Sequence, residues 1–218
     1  MAESTLKGNC YLCGHTLSKA AFKKHILSKH VLEGTNDQDC AVLKVESTED
    51  KNYWLYLDIS MTSTLKSLDA FLREIWLECC GHMSAFYSRS YDVIGKSAKI
   101  AFFPVGSVLL YEYDFGDTTS LKISVVALSS RPKQKKAVRL LGRNEPYSFA
   151  CKNCGKPADV ICCECMWADK NPYLCDDCAE EHEHESMLPV TNSPRMGVCG
   201  YCGEMDVYEF DPLKFESE

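Results

Sequence analysis

Fourteen of the chain's 218 residues are cysteine, and most of them stand in pairs two residues apart. Cys10 and Cys13 are followed by His25 and His30, which gives the spacing C-x2-C-x11-H-x4-H. Two thiolates on a tight knuckle and two imidazoles on one helix face make the donor set of a tetrahedral zinc finger. Leu17 and Phe22 fall where the miniature core of such a finger is expected. A unit this small buries too little apolar surface to fold by itself, so zinc supplies the deficit, about 10–16 kcal/mol in isolated fingers.

The second concentration of ligands lies near the other end: Cys151, Cys154, Cys162, Cys165, Cys175, Cys178, His182 and His184, then Cys199 and Cys202. Through Cys178 and His182 this run resembles the B-box and related cross-brace zinc modules. That resemblance implies that alternate pairs share an ion. Cys151, Cys154, Cys175 and Cys178 would form one site, and Cys162 and Cys165 would take two partners from His182, His184, Cys199 and Cys202. Sequential pairing, with Cys151, Cys154, Cys162 and Cys165 on one ion as in a zinc ribbon, is the alternative. Cys163, next to a ligand, is expected to point away. Sites closed by protein donors are the mark of structural zinc, and about two or three ions are expected in all. The amino terminus lacks the basic-then-apolar pattern of a secretory leader, so paired thiols point to a reducing, cytoplasmic compartment.

The elements that must position these ligands fall into segments. Residues 1–33 are the finger, and 34–52 form a polar linker with a short strand at Ala41 to Val45. Residues 53–130 carry ordinary core periodicity. Tyr53 to Ile59 alternates as a strand, and Thr64 to Cys79 is a helix with Leu65, Leu68, Ile75 and Trp76 on one face. Strands at Val108 to Tyr113 and Leu121 to Leu128 are joined through Asp114-Phe115-Gly116-Asp117, a hairpin turn. Residues 131–147 read as an exposed basic linker, and 148–218 as the multi-cysteine module. The fold class is α+β: a central strand–helix–hairpin domain with small zinc-stapled modules at both ends.

Charge bears on partners. The formal net charge is −7, which argues against a uniform coat of nucleic acid or of anionic membrane. No run of some 18 apolar residues is present to span a bilayer. The finger is locally basic, and Lys19, Lys23 and Lys24, with Lys133 and Lys136 of the linker, are the candidates for phosphate contact. Residues 159–186 hold nine acids against Lys170, so that module should repel phosphate and meet proteins or basic segments. A protein partner is therefore the leading expectation, and nucleic acid the alternative.

Catalytic patterns fail on inspection. Gly95-Lys96-Ser97 has the tail of a phosphate loop, but Ser90 stands where its first glycine belongs. Asp114-Phe115-Gly116 spells a kinase triplet without the accompanying loops. His182-Glu183-His184 does not place two histidines four apart. Cys79, Cys80 and His82 can hold metal or do redox chemistry, but at a helix end they read as small buried cysteines beside a capping-region histidine. No catalytic residue is assigned, and a non-enzymatic zinc-binding scaffold or regulator is the expectation.

Tyr53-Trp54-Leu55, Thr64-Leu65, Leu68-Asp69, Phe71 to Trp76, His82 to Phe86 and Tyr113 to Asp117 together resemble the plasmid pRiA-type ORF-three-like domain family over about residues 53–130. The resemblance implies an α+β domain in a prokaryotic, archaeal-type cytoplasmic protein. It implies no activity, and its link to mobile genetic elements touches nucleic-acid biology by association alone.

Overall fold

The computed structural model describes residues 7–31, 39–130, 136–168 and 170–203. The amino-terminal unit is a hairpin of β1 (Lys7–Cys10) and β2 (Thr16–Ser18), followed by helix α1 (Lys19–Lys29). Next come β3 (Cys40–Ser47), β4 (Trp54–Ser60), helix α2 (Leu65–Leu72), β5 (Ser84–Tyr87) and β6 (Val93–Ile94). The sheet is completed by β7 (Val108–Tyr113), β8 (Thr119–Ser129) and β9 (Val138–Asn144). All nine strands join one antiparallel sheet in the order β2-β1-β9-β4-β3-β8-β7-β5-β6.

Successive strand residues point to opposite faces, so each face gathers its own apolar set. Leu43, Val45, Leu55, Leu57 and Ile59 share a core with Leu65, Leu68, Leu72 and Trp76 of the α2 segment. Val42, Trp54, Tyr56 and Leu141 form a second core with Phe22 and Ile26 of α1. The Phe22 ring stacks on Tyr56 at 5.3 Å and meets Trp54 edge-on at 4.8 Å. Its approach leaves no room for a side chain at position 142, because a Cβ on Gly142 would sit 2.3 Å from Phe22 Cζ and 2.4 Å from the Asn9 carbonyl. Phe22, expected as the finger's private core, therefore packs against the sheet.

Both expected linkers contribute strands. The 34–52 segment supplies β3, which is longer than the short strand anticipated and lies between β4 and β8. The 131–147 segment supplies β9, wedged between β1 and β4. Its charges are placed to permit this: Arg139 donates through Nε to the buried Asp58 carboxylate at 2.9 Å. Arg143 lies over the Trp76 ring at 5.9 Å and donates to the Asn192 carbonyl.

The predicted helix also differs at its end. Regular α2 stops at Leu72, and a π-helical turn, Arg73–Leu77, carries the chain to Glu78. Its last carbonyls lack helical partners, as at any helix end. Distant residues meet them: Ser193 Oγ donates to the Trp76 carbonyl at 2.6 Å, and Tyr201 OH reaches the Ile75 carbonyl at 3.5 Å.

On α2 itself, buried Asp69 accepts from Ser84 Oγ at 2.6 Å, Tyr111 OH at 2.8 Å, Lys96 Nζ at 3.0 Å and Arg73 Nε at 3.1 Å. Burial would raise its carboxyl pKa, but these donors outweigh it and hold the group below the usual range. Lys96, the lysine of the phosphate-loop look-alike, is thus tied into a structural network.

The carboxy-terminal module holds β10 (Val160–Cys162), helix α3 (Cys163–Trp167), β11 (Tyr173–Leu174), helix α4 (Asp176–Glu180) and β12 (Met187–Pro189). Its three strands form a separate sheet in the order β11-β10-β12. Residues 190–203 then run back over the central domain as a strap. Asn192 exchanges hydrogen bonds with Asn144, donating to its carbonyl at 3.0 Å and accepting from its Nδ2 at 2.7 Å. Arg195 is wholly buried, with its Nη2 2.6 Å from Asp114 Oδ2 and its Nη1 2.9 Å from the Asp117 carbonyl. The molecule is mostly antiparallel sheet with helices packed on it. Among the described residues, no helix is long and apolar enough to cross a membrane.

Candidate metal centres

In the finger, β1 and β2 make the knuckle and α1 the histidine face. The Gly14 amide donates to the Cys10 carbonyl at 2.8 Å, closing the turn that aims both sulfurs to one side. Ser18 caps α1 by accepting from the Ala21 amide at 3.3 Å. His25 and His30 lie on the helix and at its C-cap, 3.1 Å apart between Nε2 atoms. Cys10 Sγ stands 3.5 Å from His30 Nε2, and Cys13 Sγ 3.3 Å from His25 Nε2. Burial lowers both imidazole pKa values, keeping the rings neutral, while it pushes the Cys10 thiol up to about 11. His15, which the spacing argument passed over, also approaches Cys13 Sγ, through Nδ1 at 3.3 Å.

The carboxy-terminal ligands interleave. Cys151, Cys154, Cys175 and Cys178 form one group, and Cys162, Cys165, His182 and His184 another; within each, the donor atoms lie within 4.8 Å of one another. Sequential pairing is therefore not the arrangement adopted. The first group is built at the β10–β11 end: the Gly155 amide donates to the Cys151 carbonyl at 3.0 Å, and Cys175 opens α4. Burial opposes ionisation of Cys151, yet the amides of Cys175, Cys154 and Asn153 outweigh it and hold the thiol down to about 6. Neighbouring thiols, Cys175 first and then Cys154, push Cys178 up to about 12. A cation entering that group displaces protons from a site already holding one ready thiolate.

In the second group, His184 faces Cys162 through Nδ1 at 3.3 Å, and His182 faces Cys165 through Nε2 at 3.4 Å. Lys152 Nζ donates to Cys165 Sγ at 3.3 Å. Cys163 turns elsewhere, toward the Gly197 carbonyl at 3.6 Å.

A tetrahedral zinc with Zn–S of about 2.3 Å and Zn–N of about 2.0–2.1 Å needs S···S edges near 3.8 Å and S···N edges near 3.6 Å. The donor separations above fall close to those values. The residues fit the ion, and each group offers four protein donors of the type zinc prefers.

Cys199 and Cys202 do not complete the Cys162 group. Cys199 instead meets Cys79, Cys80 and His82, and these four form a further group with donor atoms within 4.8 Å. The expectation of small buried cysteines at this helix end is corrected for Cys80, which is exposed, with its sulfur 2.9 Å from His82 Nε2. The closely spaced Cys-Cys-x-His run was the available signal, but its fourth donor lies 119 residues beyond Cys80. Cys202 is exposed, joins none of the four groups found among the described residues, and sits 3.3 Å from the Gly200 carbonyl.

No family model and no curated protein matches this chain. Among solved structures, the protein of unknown function MM3350 from Methanosarcina mazei Go1 is similar over 47% of this chain and 67% of its own, at 16% identity and a TM-score of 0.41. A likeness of that size says nothing about chemistry.

The basic candidates are divided. Lys19 pairs with Glu46 at 2.8 Å. Lys23 and Lys24 line a shallow groove of α1 with Leu27 and Val31. Lys136 is exposed just before β9, and Lys133 lies outside the described residues.

Proposed function

We propose that this chain is a non-enzymatic zinc protein whose work is protein contact, as a scaffold or regulator. The observation that carries the reading is the donor count: the finger and both carboxy-terminal groups each supply four thiolate or imidazole donors. Zinc so enclosed keeps no position for water or substrate, and its contribution is to the fold. The carboxy-terminal module supports the choice of partner. Its acids, Glu164, Asp176, Asp177, Glu180, Glu181, Glu183 and Glu185 among them, surround ligands that are themselves anionic, and this charge favours basic protein segments. The pRiA-type resemblance of residues 53–130 belongs to the same reading, since it brings a fold without an activity.

Exposed Lys23 and Lys24 favour a second reading, nucleic-acid binding through the finger helix. Titrating the zinc-loaded chain at low salt with a Lys/Arg-rich peptide and, separately, with duplex DNA and single-stranded RNA separates the two. The first reading expects saturable binding of the peptide alone. Nucleic-acid binding that falls steeply with salt, and is lost in the Lys23→Gln/Lys24→Gln variant, supports the second instead.

A further inference from the structure

We propose that Cys79, Cys80, His82 and Cys199 hold a further zinc ion, which clasps the carboxy-terminal strap to the central domain. Both sides of the site are built in place. The π-helical turn ends at Leu77, and Gly81, in the left-handed region at φ 81°, brings His82 back beside Cys80. On the strap, Cys199 itself takes a left-handed backbone at φ 49°, a conformation that L side chains adopt at a cost and that clusters at functional positions.

The sulfur–sulfur separations are those of a tetrahedral site, while His82 Nε2 stands nearer, at 2.9 Å from Cys80 Sγ, than the roughly 3.6 Å edge of the loaded site. Cys79 and Cys80 sulfurs are 3.9 Å apart, and those of Cys80 and Cys199 are 3.7 Å apart, close to the roughly 3.8 Å edge expected for zinc thiolates. His82 Nε2 lies 3.2 Å from Cys199 Sγ. The surroundings suit thiolates as well. Arg195 Nη2 lies 3.6 Å from Cys79 Sγ, a buried cation beside a ligand sulfur and four residues before Cys199 on the same strap. Such outer partners orient metal ligands and steady their charge.

This site differs from the others in access. In the other three groups Cys10, Cys151, Cys162, Cys165 and Cys175 are buried and Cys154 alone of the thiols is exposed, whereas two of the three thiols here, Cys80 and Cys199, are exposed and none is buried. The clasp ion is therefore the one that solvent, chelators and competing thiols reach first. It also joins segments far apart in the chain, so its loss leaves the strap's outer end held by buried Tyr201 while the metal groups at 151–184 stay closed.

Cys80, Cys199 and Cys202 are all exposed, so exposure by itself predicts the same reactivity for all three. The full chain, purified without added metal, is treated briefly with iodoacetamide and mapped by peptide mass spectrometry, with zinc counted by plasma mass spectrometry. Cys202 should react at once, and Cys80 and Cys199 only after a chelator has withdrawn the first ion. Cys199→Ser should carry one zinc fewer than the parent, and Cys202→Ser the same number. Alkylation of Cys80 and Cys199 at the Cys202 rate in the zinc-loaded chain overturns the proposal. So does an unchanged zinc count in Cys199→Ser, or a Cys80–Cys199 disulfide in the unreduced chain. The alkylation map uses the unaltered protein and decides the matter whether or not the variant folds, and none of the three overturning results touches the other three groups.

Discussion

Arg195 Nη2 meets Asp114 Oδ2 at 2.6 Å, with the guanidinium fully buried and lying over the Tyr113 ring at 4.8 Å. One partner sits on the carboxy-terminal strap and the other in the β7–β8 hairpin turn, so the pair pins the strap to the sheet. Burial would raise the Asp114 pKa, but the Arg195 hydrogen bond holds it below the usual carboxylate range. Removing one member of a buried pair leaves the other uncompensated, at a cost of about 3–5 kcal/mol. Arg195→Met should show that loss in urea unfolding. Asp114→Asn should show a comparable one: asparagine tolerates the left-handed backbone at φ 64°, but it removes the charge and turns one of the two accepting oxygens, which meet Arg195 and the Gly116 amide, into a donor. The double variant should be markedly less unstable than the two losses added together. Additive losses would mean that the contact contributes nothing.

Asp69 gives the fold an acid-sensitive joint. Its carboxyl pKa is depressed by donors from Ser84, Tyr111, Lys96 and Arg73. A depressed carboxylate stabilises the fold fully above its unfolded value, about 3.9, and that stability is lost as pH falls through the lower folded value. As pH falls below about 4 the parent should therefore lose stability faster than Asp69→Asn, which has no such charge to lose. Zinc ligands titrate in both proteins, so the difference between their urea midpoints isolates Asp69. Parallel curves would refute the assignment.

Metal withdrawal should divide the molecule. The buried cluster of the carboxy-terminal module is made of Cys151, Cys162, Cys165 and Cys175 with Leu174, so its core is largely its ligands. The central sheet rests on Leu43, Leu55, Leu57, Trp76 and their neighbours instead. Hydrogen exchange after exhaustive chelation should show residues 151–184 losing protection while β3, β4 and β8 keep theirs. Loss across the whole chain in one step would show that the sheet depends on metal too.

What the sequence made legible was local. Cys10, Cys13, His25 and His30 declare themselves because the ligand spacing of a knuckle and a helix is fixed over some twenty residues. The strands at 53–59 and 108–113 were readable from alternation. The β9 strand was not, because the six basic residues of 131–143 mask a Val138-x-Leu140-Leu141 pattern. Arg139 and Arg143 are tolerated there only because Asp58, Trp76 and Asn192 wait for them. Cys199 is illegible for a different reason. Its sequence neighbour Cys202 suggests a pair, while its spatial partners stand at the end of a helix in another part of the chain.

The position of β9 orders events in time. Strand β1 finds its inner neighbour only in residues 138–144, so the finger emerges from the ribosome about a hundred residues ahead of its seat in the sheet. At about 5–20 residues per second, that interval is roughly 5–20 s. During it the hairpin and α1 stand alone, with Phe22 deprived of Trp54 and Tyr56 until β4 has been made and fixed. Cys10, Cys13, His25 and His30 thus meet the cell's zinc before the ligands of the other three groups do. A nascent chain starved of the metal at that moment exposes an apolar ring to whatever chaperone or aggregate lies nearest.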